Sequence, residues 1–118
     1  MLARAERLQR QFFVPRPPVR EASQWEPPVD VFAEDGRLWI QVALPGVAPE
    51  ELDVLFEGTT LVVRGRRPLP APAHGARLVR MEIPHGRFER RLRLPAGRYV
   101  LRSSTLEHGL LSLVLERM

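Results

Sequence analysis

Cysteine is absent from this sequence, and so are lysine and asparagine. Without thiols there can be no disulfide, no thiolate nucleophile and no cysteine-ligated zinc, whatever the compartment. Without lysine, Schiff-base chemistry and amine acid–base catalysis are excluded. All 18 basic residues are therefore arginine, a bias that fits codon usage in a GC-rich genome better than thermal adaptation, where lysine is usually enriched. Long apolar runs are missing too: nothing approaches the ~18 consecutive apolar residues of a membrane span. The opening MLARAERLQRQFF scatters charges where a secretory signal carries an apolar block. The expectation is a cytoplasmic chain with no membrane span.

Catalytic equipment is equally sparse. No Gly-rich phosphate loop, nucleophile elbow or serine–histidine–acid arrangement is present. His74, His85 and His108 sit at turn sequences without zinc-ligand spacing. Glu50 and Glu51 are adjacent and point apart on any turn, unlike a general acid–base pair. The chain is expected not to be an enzyme and to need no metal and no cofactor.

What remains is a chain of 118 residues, 44% apolar and 27% charged, enough for one domain with a modest core. A net charge of +4 and a pI near 11.1 raise the alternative of a basic β-domain that binds nucleic acid or anionic surfaces. Its main support is the stretch Arg87 to Arg93. Glu89 interrupts that stretch, and its one aromatic, Phe88, falls on the inward face, which leaves nothing for bases to stack on.

Along the chain, Leu8, Phe12 and Phe13 among Arg4, Arg7 and Arg10 fit a short amphipathic helix over residues 1 to 14. Five prolines between residues 15 and 28 (Pro15, Pro17, Pro18, Pro27 and Pro28) then favour an extended, mobile arm. We place that arm at 1–24 and a folded domain at 25–118. From Val29 onward, short apolar runs alternate with turn residues. Leu38, Ile40, Val42 and Leu44 share one face of a half-buried strand, and Glu34-Asp35-Gly36 turns the chain before it into a hairpin. A second hairpin follows, with Leu52, Val54 and Phe56 on one face, a turn at Gly58, and Leu61 and Val63 on the next strand. Because residues 52, 54 and 56 step by two, Pro49-Glu50-Glu51 can form at most one helical turn. Residues 68 to 76 are a proline-rich loop, and 77 to 83 a candidate strand with Val79, Met81 and Ile83 on one side. In the strand from Arg87 to Leu94, Arg90 shares a face with Phe88, Leu92 and Leu94, so it must meet a carboxylate or carbonyls there. Two further strands flank His108-Gly109. About eight short strands without a long helix predict an all-β fold, a sandwich of two sheets.

These motifs, in order, resemble the small heat-shock proteins, the α-crystallin-domain family, over residues 25 to 115. The resemblance rests on WEPPVDVF from Trp25, ALPGV from Ala43, ELDV from Glu51 and LVVRGRR from Leu61. It continues with GRFERRLRLP from Gly86 and HGLLSL from His108. It implies an immunoglobulin-like β-sandwich and ATP-independent binding of unfolding client proteins. In the bacterial and plant branch, a strand in the loop after the Gly-Arg-Arg motif pairs with the partner subunit's sheet. Residues 76–83 hold that position, which implies a homodimer with Leu78, Val79, Arg80 and Met81 at the interface, and Arg90 at or near it. The resemblance further implies a groove for clients or peptides lined by Leu52, Val54, Phe56, Ser104 and Leu106. Leu8, Phe12, Phe13 and Trp25 are the expected client contacts of the arm. The sequence departs from the family at His108, where Asn or Asp is usual, and at Glu116-Arg117 in place of Pro-Lys. It also ends at Met118 without the Ile-x-Ile-type extension, so larger oligomers built through that motif are not expected, whereas the dimer is. A co-chaperone of the related CS-domain type, which lacks the swapped-strand loop, is a further alternative.

Overall fold

The computed structural model describes residues 24–118. Among them, seven strands form two antiparallel sheets: β1 (Val29–Glu34), β2 (Arg37–Ala43), β3 (Leu52–Glu57), β4 (Thr60–Arg67), β5 (Gly86–Arg93), β6 (Tyr99–Glu107) and β7 (Leu110–Arg117). One sheet has the order β1-β2-β7-β6 and the other β3-β4-β5. The alternation in the sequence sorts the side chains between the two layers. Leu38, Ile40 and Val42 of β2 and Leu111, Leu113 and Leu115 of β7 meet Leu61 and Val63 of β4 and Phe88 of β5 in a dry core. The arm residues Leu8, Phe12 and Phe13, and the helix expected over 1 to 14, lie outside the described residues.

Turn chemistry fixes the hairpins. Asp35 and Gly36 between β1 and β2, and His108 and Gly109 between β6 and β7, all have positive φ, the backbone of the two-residue turns whose twist matches paired strands. Histidine is among the few non-glycine residues that enter this region with any frequency. Between β2 and β3, Pro49–Glu51 makes a single 3-10 turn and Leu52 already belongs to a strand, as the two-residue stepping requires. Gly65 permits this arrangement. A Cβ there would collide with the Glu51 carbonyl oxygen and come within 2.8 Å of the Phe88 ring.

Two departures from the expected strands have physical causes. The strand anticipated over 77–83 is not formed, so the described residues hold seven strands rather than about eight. A strand needs a backbone ladder, and no sheet edge of the same chain pairs with this segment, which belongs instead to the long loop between β4 and β5. The second departure is a bulge in β6. Leu101 pairs with Leu115 but Ser103 pairs with Val114, which leaves Arg102 as the extra residue. Leu101 and Leu106, five positions apart, would face opposite ways on a regular strand, and the bulge turns both toward the inner layer.

The extra residue is held by charge. Arg102 Nε donates to the Glu116 carboxylate at 2.7 Å, and Arg37 Nη2 donates to the same group at 3.0 Å. The hydrogen bond from Arg102, then that from Arg37, holds the Glu116 carboxyl below its ordinary value of 4.5. A carboxyl lowered by folding contributes stability above its unfolded pKa and loses it as pH falls through the folded one. The melting temperature should therefore exceed that of Glu116→Gln at neutral pH, with the gap closing as pH drops below 4.5, as thermal melts across that range would read. A gap that persists unchanged at acid pH would show that the pair does not stabilise the fold.

Candidate functional site

The molecule offers edges and uncovered apolar faces. The Trp25 main chain bridges β5 in parallel fashion, with its N–H donating to Arg87 O at 3.1 Å and its carbonyl accepting from Glu89 N at 3.2 Å. The indole packs on Phe88 at 5.1 Å between ring centroids and donates Nε1–H to Gly86 O. Trp25 is thus half-buried on the domain rather than free on an arm. Just beyond it, Arg90 donates Nη1–H to Pro27 O at 3.3 Å. Arg90 lies opposite Val63, between Phe88 and Leu92 on the inner face, so the carbonyl supplies the partner that an arginine in an apolar row requires. These contacts place β5 beside β1 on one flank of the sandwich, which leaves β3 and β6 together on the other.

That second flank gathers the predicted groove residues. Leu52, Val54 and Phe56 lie opposite Gly65, Val63 and Leu61 in register, and Ser104 and Leu106 lie opposite Leu113 and Leu111. All five therefore share the inward faces of the two edge strands. Leu52, Val54 and Leu106 pack partly against the core, Ser104 is exposed, and Phe56 keeps 39% of its surface open. One lining residue escapes any reading by period two. Leu101, 40% exposed, joins the same face through the bulge at Arg102. Bulges leave little trace in sequence, and an arginine between Leu101 and two serines gives no distinctive signal.

The third feature is the loop carrying Leu78, Val79, Arg80 and Met81. It includes a 3-10 turn at Ala71–His74, and its apolar side chains are open, with Val79 80% exposed. Among the described residues Arg80 pairs with Glu82, at 3.0 Å. An open cavity of about 480 Å³ lies among Leu69, Pro70, Ala73, Leu78, Val79 and Met81. Arg67 anchors the root of the loop at both ends, donating Nε–H to Pro45 O and Nη1–H to Pro84 O, each at 3.0 Å. Among the described residues β1 has no second ladder partner, so it offers an open edge, and its inward Val31 is 47% exposed because the three-stranded sheet does not extend over it.

The basic stretch on β5 is interleaved with acids. Arg91 donates Nη2–H to Glu57 at 2.5 Å and Nη1–H to Glu89 at 3.3 Å. Arg91 holds the Glu57 carboxyl below its ordinary range, chiefly through the hydrogen bond. Arg64 lies opposite both Asp53 and Glu89. A face of alternating sign offers no continuous track for a phosphate backbone. Among the described residues no group of acids and histidines could hold a metal ion, and no helix is long and apolar enough to cross a membrane.

Known proteins share this architecture. The family model described as Hsp20/alpha crystallin family matches residues 30–118, while a search of curated proteins finds no match. Among solved structures, the hspA from Xanthomonas axonopodis is 26% identical with a TM-score of 0.70, covering 80% of this chain and 96% of that one. A small heat-shock protein from Xylella fastidiosa is also 26% identical, with a TM-score of 0.69 over 80% of this chain and 88% of that one. Heat shock protein 16.0 from Schizosaccharomyces pombe, 21% identical, shares the fold at a TM-score of 0.71 over 80% and 89% of the two chains. The family match runs from β1 through β7 and takes in the β4–β5 loop: the chain belongs to the Hsp20/alpha-crystallin family of small heat-shock proteins, which are chaperones and not enzymes.

Proposed function

We propose that this protein is a cytoplasmic, ATP-independent holdase built on a homodimer, which binds unfolding proteins and keeps them from aggregating. The observation that carries this reading is the β3–β6 flank, where Phe56 and Leu101 remain open beside two unpaired strand edges. An unfolding client presents extended apolar segments. Such a segment can take its backbone hydrogen bonds from an edge and set alternate side chains between Phe56 and Leu101. Binding of this kind needs exposed complementary surface only, so nucleotide adds nothing to it.

Two incomplete features that fit each other support the dimer. Among the described residues, 76–83 have no ladder partner, and β1 has an open edge beneath an uncovered Val31. In the proposed dimer the segment of one subunit pairs along β1 of its partner. Leu78, Val79 and Met81 leave water, at about 1.5–3 kcal/mol for each side chain fully buried. Arg67 sets the root of the loop so that the segment is presented at a fixed height, and Arg90, near the start of β1, lies toward the same boundary. The aromatic residues of the arm add client-binding surface.

Heating a labile enzyme with a molar excess of this protein should suppress the rise in light scattering equally with and without ATP. Unsuppressed aggregation in both conditions would defeat the holdase reading. Removal of residues 76–83 should convert the dimer into monomers in multi-angle light scattering, as should the gentler Val79→Asp with Met81→Asp; dimers persisting in both variants would show that the interface lies elsewhere. Because the bulge puts Leu101 in the groove, Leu101→Glu should weaken binding of an apolar client peptide by about tenfold, the equivalent of ~1.4 kcal/mol. Val100→Glu, one position away, should leave it unchanged. Equal effects of the two in fluorescence anisotropy would reject this lining.

A further inference from the structure

The outer face of the four-stranded sheet carries an apolar row that the groove and the loop do not use. In register across the sheet, Phe32, Trp39 and Val114 lie side by side, around an open hollow of about 410 Å³. Phe32 is 58% exposed. The neighbouring rows are polar: Asp30, Gln41 and Ser112 on one side, Glu34, Arg37 and Glu116 on the other. Two of these charges are already committed, since Arg37 and Glu116 pair with each other, and the Arg37 guanidinium also sits 5.9 Å from the Trp39 ring. Asp30 and Glu34 have no ion-pair partner among the described residues. They flank Phe32 on the same face of β1, two positions to either side. The surface is therefore an aromatic platform bracketed by two uncompensated carboxylates.

We infer that this platform is the docking site for residues 10–16 of the same chain, Arg10-Gln-Phe-Phe-Val-Pro-Arg16. The segment has the reciprocal pattern: Phe12, Phe13 and Val14 stand between two arginines. Its wider context, residues 1–23, carries Arg4, Arg7, Arg10, Arg16 and Arg20 against only Glu6 and Glu21. Arginine is also the cation that stacks on aromatic faces as well as pairing with carboxylates. Reach is sufficient. The described chain begins at Gln24, next to the edge of β5 on the β1 flank. The eleven residues from Phe13 to Gln24 can extend up to about 36 Å, and the folded part measures 30 × 20 Å across its two shorter axes. The segment needs to pass only over β1. Docking uses the face of β1 and not its edge, so it is compatible with a partner strand added along that edge. On the holdase reading, docking also covers Phe12 and Phe13, and release of the segment uncovers two aromatic surfaces at once.

The absence of cysteine makes the test direct. Gln11→Cys provides a single thiol for a bimane label, whose emission is quenched when tryptophan comes into contact. In the full-length labelled chain, the quenching should be lost on Trp39→Phe and retained on Trp25→Phe. Loss of quenching in Asp30→Asn with Glu34→Gln, or at high salt, would follow from the charge bracket. Emission unaffected by Trp39→Phe would overturn the inference, as would relief by Trp25→Phe alone. A labelled Trp39→Phe chain mixed with unlabelled native chain should stay bright. Quenching there would mean that the arm of a second copy occupies the platform, which also overturns docking within the chain. The readout involves no client, so it stands or falls separately from the holdase assay.

Discussion

The packing of a three-stranded sheet against a four-stranded one leaves part of the larger sheet without a layer above it, and most of what is distinctive in this molecule follows from that mismatch. Covering the inner face of β2 and β7 takes up Leu61 and Val63 of β4 together with Phe88. Among the described residues nothing then covers the inner side of β1, and Val31 stays open. The two flanks become unlike. Beside β5 the gap is partly closed by Trp25 and by the Arg90 bond to Pro27; beside β3 it stays open as a groove. A sandwich with equal sheets would still end in strand edges, but it would lack the uncovered Val31 beside one of them and would have less reason to associate.

Arginine does a large share of the positioning because the chain has no lysine and no buried polar group among its described residues. Arg67 reaches two carbonyls, one on the Pro45-Gly46 turn and one at Pro84, with the planar fork that lysine lacks. It ties the β2–β3 connection to the root of the β4–β5 loop, so the segment bearing Leu78 and Val79 leaves the body at a defined point. Arg102 is the extra residue of the β6 bulge and is fixed to Glu116, which couples the geometry of the groove to a surface ion pair. Exposed pairs contribute little stability individually. Here their effect is on which face a side chain takes, and a change of face has larger consequences than a few tenths of a kcal/mol.

The central strands were legible in the sequence because burial on one face favours alternation, and β2 and β7 show it in Leu38-Ile40-Val42 and Leu111-Leu113-Leu115, while β4 is a short apolar run, Leu61-Val62-Val63, buried on both faces. The Pro49–Glu51 turn was legible for the same reason, since stepping by two excludes a helix. Leu101 was not, because one added residue at Arg102 reverses the parity and the added residue has no chemical signature. The segment 77–83 reads as a strand because alternation encodes a tendency to pair, while a ladder needs a partner that one chain does not supply. Trp25 reads as the first residue of the domain and as a client contact beside the arm, because prolines crowd the stretch from 15 to 28; what the sequence does not show is that its indole packs on Phe88 and bonds the Gly86 carbonyl. Long-range contacts of this kind depend on sheet order, which local sequence does not specify.

The edges and the faces of this sandwich can be occupied independently, and this bears on how a small chaperone could be both stable and available. An edge is satisfied by backbone hydrogen bonds and is indifferent to sequence, so a partner strand and a client strand compete for it on nearly equal terms. A face is satisfied by side-chain complementarity and by charge, so it can select one segment and release it when ionic strength or temperature changes. On the four-stranded sheet, β1 presents both kinds of surface at once, an edge below Val31 and a face around Phe32. Dimerisation at the edge therefore need not exhaust the strand. In the proposed dimer, occupation of the face could be reversed without separating the subunits, which would let apolar surface be stored on the folded domain instead of being left permanently in water.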